Sequence, residues 1–214
     1  MLRLHYHPLS PYCRKALVAV YHRGDEVAHE LVDIFGDAIH SPAFRALSPF
    51  GKMPFLESPD GVIYESTSII EYLESRGPRL LIPLDPTEAR LARHLDRIGD
   101  LYIINAQKTL WWCPNGGEAP DARDLALKAW DVLAQQLADG RHYLLGDWFT
   151  LADIGAAIGS DYLMRVGMNP PSALLPWLQR CFAVEAMHRA LNEALPFANS
   201  IIEERKQRTQ RARR

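Results

Sequence analysis

The spacing of apolar residues divides the chain into two unlike parts. Up to about residue 80, short runs of β character alternate with helical ones. Leu2–Tyr6 and Val27–Ile34 read as strands, and Ala16–His22 reads as a helix ending at Gly24. Phe55–Leu56 and Val62–Tyr64 flank Pro59-Asp60-Gly61, a hairpin turn signal. Ile69–Leu73 sits in a further helix closed by Gly77-Pro78. The predicted order is β-α-β, an irregular stretch with a short helix, then β-β-α. That alternation suggests an α/β layer with helices on a small mixed sheet.

Residues 77–86 contain three prolines and read as a connector. Beyond it the period is helical. Leu91, Leu95, Ile98, Tyr102 and Asn105 recur at spacings of four and three, predicting a long helix over 87–112. Its first half is aliphatic, and its second half turns polar and aromatic. Cys113-Pro114-Asn115-Gly116-Gly117 ends it. Further helices are expected over 121–139, from Thr150, over 172–180 and over 184–195. The helix from Thr150 carries Leu151, Ile154, Ile158 and Tyr162 on one face. The expected organisation is an α/β domain over 1–78, a linker over 79–86, an all-α domain over 87–204 and a disordered tail over 205–214.

Composition narrows the class. The chain has 214 residues, of which 48% are hydrophobic and 23% charged, as in soluble globular proteins. Disordered, collagen-like and disulfide-scaffold classes are excluded. The formal net charge is −2, but residues 205–214 carry six basic side chains and no acid. Without those six, 18 basic side chains face 26 acidic ones, a balance of −8. An acidic body argues against a nucleic-acid partner for the folded part. The three cysteines, Cys13, Cys113 and Cys181, form no CxxC pair, which argues against a disulfide framework and a cysteine-based zinc site. His5 and His7 share a strand face, but the eight histidines show no metal-ligand spacing, so no metal is expected. The first residues lack the apolar run of a signal peptide, and no segment approaches about 18 uncharged apolar residues. The expectation is a cytoplasmic protein with no membrane partner.

Three stretches carry candidate chemistry. His7-Pro8-Leu9-Ser10-Pro11-Tyr12-Cys13-Arg14-Lys15 follows the first strand and opens the first helix. Ser10 suits the N-cap, Pro11 the first helical position, and Cys13 falls on the first turn. A hydroxyl and a thiol thus stand near the positive end of a helix, where an anion such as a thiolate is favoured. In Ser48-Pro49-Phe50-Gly51-Lys52-Met53-Pro54-Phe55-Leu56, a proline just ahead of a strand is a candidate cis-proline. A cis bond there leaves the Met53 N–H and C=O facing outward to pair with an extended peptide. Tyr64-Glu65-Ser66-Thr67-Ser68 opens the next helix, whose free amides and serine hydroxyl suit a carboxylate, while Glu65 suits an ammonium. Ser68 to Glu71 also fits a capping box, which offers a second helix start two residues further on.

Together, in this order and spacing, the three stretches resemble the N-terminal domain of the glutathione S-transferase family. The resemblance covers residues 1–80 and, more loosely, the helical remainder. Thr150-Leu151-Ala152-Asp153 resembles the family's Thr/Ser-x-x-Asp capping element. The resemblance implies a thioredoxin-like α/β domain followed by an all-α domain. It implies that Ser10 lies where serine-type classes place the hydroxyl that donates to the glutathione thiolate. Met53 then pairs with the cysteinyl part of glutathione beside the cis-proline Pro54. Glu65 and Ser66 hold the γ-glutamyl ammonium and carboxylate, and Lys52 and His40 fall where basic residues reach the glycyl carboxylate.

The co-substrate, a small hydrophobic electrophile, is expected between the domains against Tyr12, Tyr102, Asn105, Lys108, Trp111 and Trp112. The implied activity is thiolate conjugation, as in detoxification, by a homodimer with glutathione as co-substrate. One departure opens an alternative. Ser10-Pro11-Tyr12-Cys13 resembles the glutaredoxin motif Cys-Pro-Tyr-Cys with its first cysteine replaced, so a thiol–disulfide reductase using Cys13 is a second reading. A non-catalytic binding module on the same fold, like the stringent starvation proteins, is a third. The Ser-Ser-x-Ser motif of the isomerase-type class is absent from the sequence.

Overall fold

A computed structural model describes residues 1–34, 36–113, 119–199 and 201–203. The expected helix stop at 114–117 and the basic tail at 205–214 lie outside these residues. In chain order, β1 (Leu2–Tyr6) precedes α1 (Pro11–Arg23) and β2 (Val27–Leu31). A 3₁₀ turn (Asp37–His40) and a short α2 (Pro42–Leu47) lead to β3 (Phe55–Ser58), β4 (Gly61–Tyr64) and α3 (Ser66–Ser75). The sheet order is β2-β1-β3-β4. β1 pairs parallel with β2, and antiparallel pairs join β1 to β3 and β3 to β4. β2 ends three residues earlier than its apolar run suggests.

The caps explain where the first helix starts and stops. Ser10 precedes α1 and accepts the Cys13 N–H on its side chain, and Pro11 occupies the first helical position. Gly24 closes α1 in the left-handed conformation at φ 70°. α1 buries Cys13 through Val20, and Leu17 packs in one core with Leu4, Leu56, Ile69, Ile70 and Leu73, all fully buried. The connector is pinned rather than loose. The buried Glu74 carboxylate accepts the N–H groups of Leu80, Leu81 and Ile82 at 3.0–3.2 Å and pairs with Arg23 at 2.5 Å.

The helical part begins with α4 (Pro86–Ile98) and α5 (Asn105–Trp112). The single helix expected over 87–112 instead has a π-helical segment, Gly99–Ile104, between them. A π turn carries more than 3.6 residues, so it rotates everything beyond it relative to the period read from sequence. α6 (Pro120–Gln136), α7 (Leu151–Arg165), α8 (Leu175–Ala183) and α9 (Glu185–Ala194) complete the bundle. α7 is buried at every position from Leu151 to Ser160. Its Asp153 carboxylate accepts the N–H groups of Leu144 and Thr150, the Thr150 hydroxyl and the Trp177 indole N–H, all within 3.0 Å. Among the described residues, no helix is long and apolar enough to cross a membrane.

Gly99 and Gly159 let α7 approach the π-helical segment closely. A Cβ at Gly99 would stand 2.8 Å from the Ala156 backbone nitrogen, and one at Gly159 2.7 Å from an Ile103 methyl. Backbone cannot yield as a side-chain tip can. Gly99→Val therefore destabilises the fold by about 2 kcal/mol, within the usual range for overpacking. The check is a lowered midpoint in urea denaturation, and an unchanged midpoint would contradict the close packing.

Candidate active site

A cleft of about 850 Å³ opens where the α1 loop, the β3 entry and the start of α3 face the π-helical segment and α5. Ser10 lines it at the start of α1. Its backbone is fixed by its own N–H donating to the His7 carbonyl at 3.0 Å and by the Arg14 N–H donating to its carbonyl at 2.9 Å. The Cys13 N–H donates to its Oγ at 3.3 Å. That bond uses a lone pair of the hydroxyl and leaves the O–H proton available to a second acceptor.

Cys13, one turn further on, points the other way. It is fully buried, and burial pushes its thiol up to about 12. The Ser10 hydroxyl and a backbone hydrogen bond pull the other way and do not offset that. Cys13 is absent from the cleft lining.

Across the cleft, Met53–Pro54 is a cis peptide bond just before β3. The Ser48 hydroxyl fixes the loop before it. It donates to the Lys52 carbonyl at 2.7 Å and accepts the Lys52 N–H at 3.0 Å. Lys52, Met53 and Pro54 all line the cleft. α3 starts at Ser66, not at the Ser68 box. Glu65, just ahead of it, adopts φ 66° and is the one non-glycine with positive φ among the described residues. A carboxylate side chain held in the left-handed region is strained, and such residues gather at functional sites. Glu65 and the buried Ser66 both line the cleft.

Beneath these groups lies a buried ionic set. The fully buried Lys15 ammonium lies 2.7 Å from both Asp96 and Asp100. It also donates to Thr67 Oγ1 at 3.2 Å, and Thr67 donates to Asp96 at 2.6 Å. Burial opposes the ammonium charge, but the two carboxylates outweigh it and hold Lys15 above the ordinary lysine range. Burial, with the Asp96 charge, lifts the Asp100 carboxyl above its usual range despite the pull of Lys15.

The expected co-substrate residues divide. Tyr12, Lys108, Trp111 and Trp112 line the cleft. Asn105 is exposed and outside the lining, its Oδ1 accepting the Tyr12 hydroxyl at 3.0 Å. Tyr102 is 43% exposed outside the lining, because the π-helical turn rotates it off the face that a 3.6-residue period assigns. His40 ends the exposed 3₁₀ turn and is likewise outside the lining.

Sequence reading missed two parts of the wall. One is the basic group Arg14, Arg97 and Arg165. The other is the C-terminal stretch with Leu191, Leu195, Ala198 and Ile202. Their spacing of four, three and four is an apolar helical stripe that extends past the predicted helix end.

A thioredoxin-like sheet domain joined to an all-helical domain, with a cleft between them, defines the class of protein. A model of the glutathione S-transferase N-terminal domain matches residues 4–79. Glutathione S-transferase 3 of Zea mays is 33% identical over 170 residues, covering 73% of this chain and 76% of that protein. Elongation factor 1-gamma 2 of Oryza sativa subsp. japonica is 34% identical over 152 residues, covering 65% of this chain and 35% of that protein. A Methylobacterium radiotolerans glutathione S-transferase, solved in complex with glutathione sulfonate, matches at a TM-score of 0.73 and 27% identity. That likeness spans 89% of this chain and 94% of that one. The chain belongs to the glutathione S-transferase family.

The burial of Cys13 makes a chemical prediction. Its thiol stays protonated and enclosed across the neutral range, so iodoacetamide at pH 8 leaves Cys13 unmodified in the folded protein and modifies it after unfolding. Peptide mapping by mass spectrometry reads this directly. Fast labelling of folded protein would contradict the assignment.

Proposed function

We propose that the protein is a serine-type glutathione transferase, in which the Ser10 hydroxyl donates a hydrogen bond to the glutathione thiolate. The observation that carries this reading is the Ser10 hydroxyl itself. It lines the cleft at the start of α1, and the Cys13 N–H on its oxygen leaves its proton for an incoming anion. A donor aimed at a thiolate, together with the positive end of α1, lowers the thiol pKa below its free value of about 8.5. Ser10 acts as donor and glutathione as nucleophile.

The remaining contacts follow from the cleft lining. The Met53 backbone pairs with the cysteinyl unit of glutathione, with Pro54 setting its direction. The Ser66 hydroxyl and the α3 N-terminus take the γ-glutamyl carboxylate, and Glu65 takes the ammonium. Lys52 takes the glycyl carboxylate; His40, outside the lining, is set aside. The thiol proton leaves to solvent. The thiolate then attacks an electrophilic carbon held against Tyr12, Lys108, Trp111 and Trp112. A C–S bond forms, and either the leaving group departs with its bonding pair or an activated double bond accepts a proton.

We further assign the chain to the cytoplasm, with detoxification as its role, and to a homodimer. Phe50 and Leu101, exposed on the cleft rim, offer apolar surface to a second copy. A binding module is the second reading, favoured by the match to elongation factor 1-gamma, where the similar stretch is about a third of the protein. The cleft hydroxyl and the strained Glu65 favour chemistry over a scaffold. The reductase reading requires a thiol that the burial of Cys13 opposes.

Ser10→Ala separates the readings. It lowers kcat/KM for 1-chloro-2,4-dinitrobenzene at least tenfold, about 1.4 kcal/mol of transition-state stabilisation, while glutathione still binds. Cys13→Ala leaves turnover within about twofold. Unchanged turnover in Ser10→Ala would overturn the assignment, and no turnover in the unmodified protein would favour the module.

A further inference from the structure

The cleft lining carries more positive charge than a site for a hydrophobic electrophile needs. Arg14 is 3% exposed and lines the cleft. One Nη donates to the Tyr162 hydroxyl at 3.0 Å, and that hydroxyl donates to the Leu9 carbonyl at 2.7 Å. Nε and the other Nη, both buried, have no hydrogen-bond partner among the described residues. The nearest carboxylate, Asp161, lies 3.7 Å away. It is already engaged by Arg165, which donates to both its oxygens at 2.9 and 3.2 Å. Two guanidiniums thus share one carboxylate, and one positive charge is left over.

The Tyr162 ring also faces the Arg14 guanidinium at 4.8 Å, a contact that brings no negative charge. Arg97 and Lys108 line the same cleft. Two carboxylates also line the cleft, Glu65 at the start of α3 and Asp100, which is tied to Lys15 at 2.7 Å and lies 4.0 Å from Arg97, so five basic side chains, with Lys52 and Arg165, face two acidic ones. A buried guanidinium with unpartnered donors is costly, and an anion near it gains more than it would in water. A planar carboxylate matches the fork of a guanidinium better than a point contact does. Trp111 and Trp112 line the same cleft, and indole side chains pack favourably with aromatic rings.

We infer that the second substrate is an aromatic electrophile bearing a carboxylate, with the ring against the tryptophan wall and the carboxylate toward Arg14 and Arg165. This rests on the transferase reading and names the co-substrate class of the same cleft. It adds a carboxylate to the small hydrophobic electrophile that the resemblance implies.

The test uses the full chain and a pair of non-reacting analogues, 4-nitrobenzoate and its neutral isostere 4-nitrobenzamide, titrated calorimetrically in low salt. The benzoate binds at least tenfold tighter than the amide. Arg165→Gln, at a half-exposed position safe for folding, reduces that preference severalfold, and Arg14→Gln removes most of it. Equal affinities, a preference for the amide, no binding of either, or an unchanged preference in Arg165→Gln would overturn the inference. A glutathione titration of the same sample keeps the two claims apart. Saturable glutathione binding without benzoate preference sinks this inference alone, whereas absent glutathione binding sinks the transferase reading.

Discussion

A lysine ammonium with no access to water constrains the arrangement around the cleft. Lys15 can be buried only because Asp96 and Asp100 stand within 2.7 Å of it and Thr67 completes its contacts. Removing a charge from water costs several kcal/mol, which a pair repays only with good geometry. Lys15 sits on α1, Thr67 on α3, Asp96 on α4, and Asp100 in the π-helical segment. The set therefore fixes three helices that each contribute to the cleft. Ser10 lies five residues before Lys15, and Ser66 immediately precedes Thr67. The hydroxyl at the α1 start and the one at the α3 start are thus held relative to each other by a contact behind both.

The glycines complete that constraint. Gly155, on α7, faces the Lys15 methylenes and Asp100, where an added Cβ would lie 3.2–3.3 Å away. Gly99 faces the Ala156 backbone. Small residues along α7 bring the helical domain close enough for acids of α4 and the π-helical segment to reach a lysine of the sheet domain. The same closeness places Tyr12 of the α1 loop within 3.0 Å of Asn105.

Local signals were legible in the sequence, and long-range ones were not. β1, the Gly24 stop, the hairpin turn and the Thr150–Asp153 box each follow from residues a few positions apart, and each stands as expected. Ser10, Met53, Glu65 and Ser66 line one cleft, because each stands at the end of an element with a local sequence signal. The π-helical segment had no such signal. It packs against α7, where Gly99 meets Ala156 and Ile103 meets Gly159, pairs more than 50 residues apart in sequence, and Tyr102 faces outward against the period. Arg14 gave no hint either. In sequence it is one more basic residue beside Lys15, and only burial distinguishes the lysine with two acids from the arginine with half of one.

The central claim is that the Ser10 hydroxyl stabilises a bound thiolate. The most direct measurement is a pH titration of glutathione in complex with the protein, followed by ultraviolet thiolate absorbance, for the unmodified chain and Ser10→Ala. The account predicts a bound thiol pKa at least one unit below the free value of about 8.5, returning toward it in Ser10→Ala. A bound thiol that titrates as it does in solution, or one equally depressed in the two proteins, would contradict it.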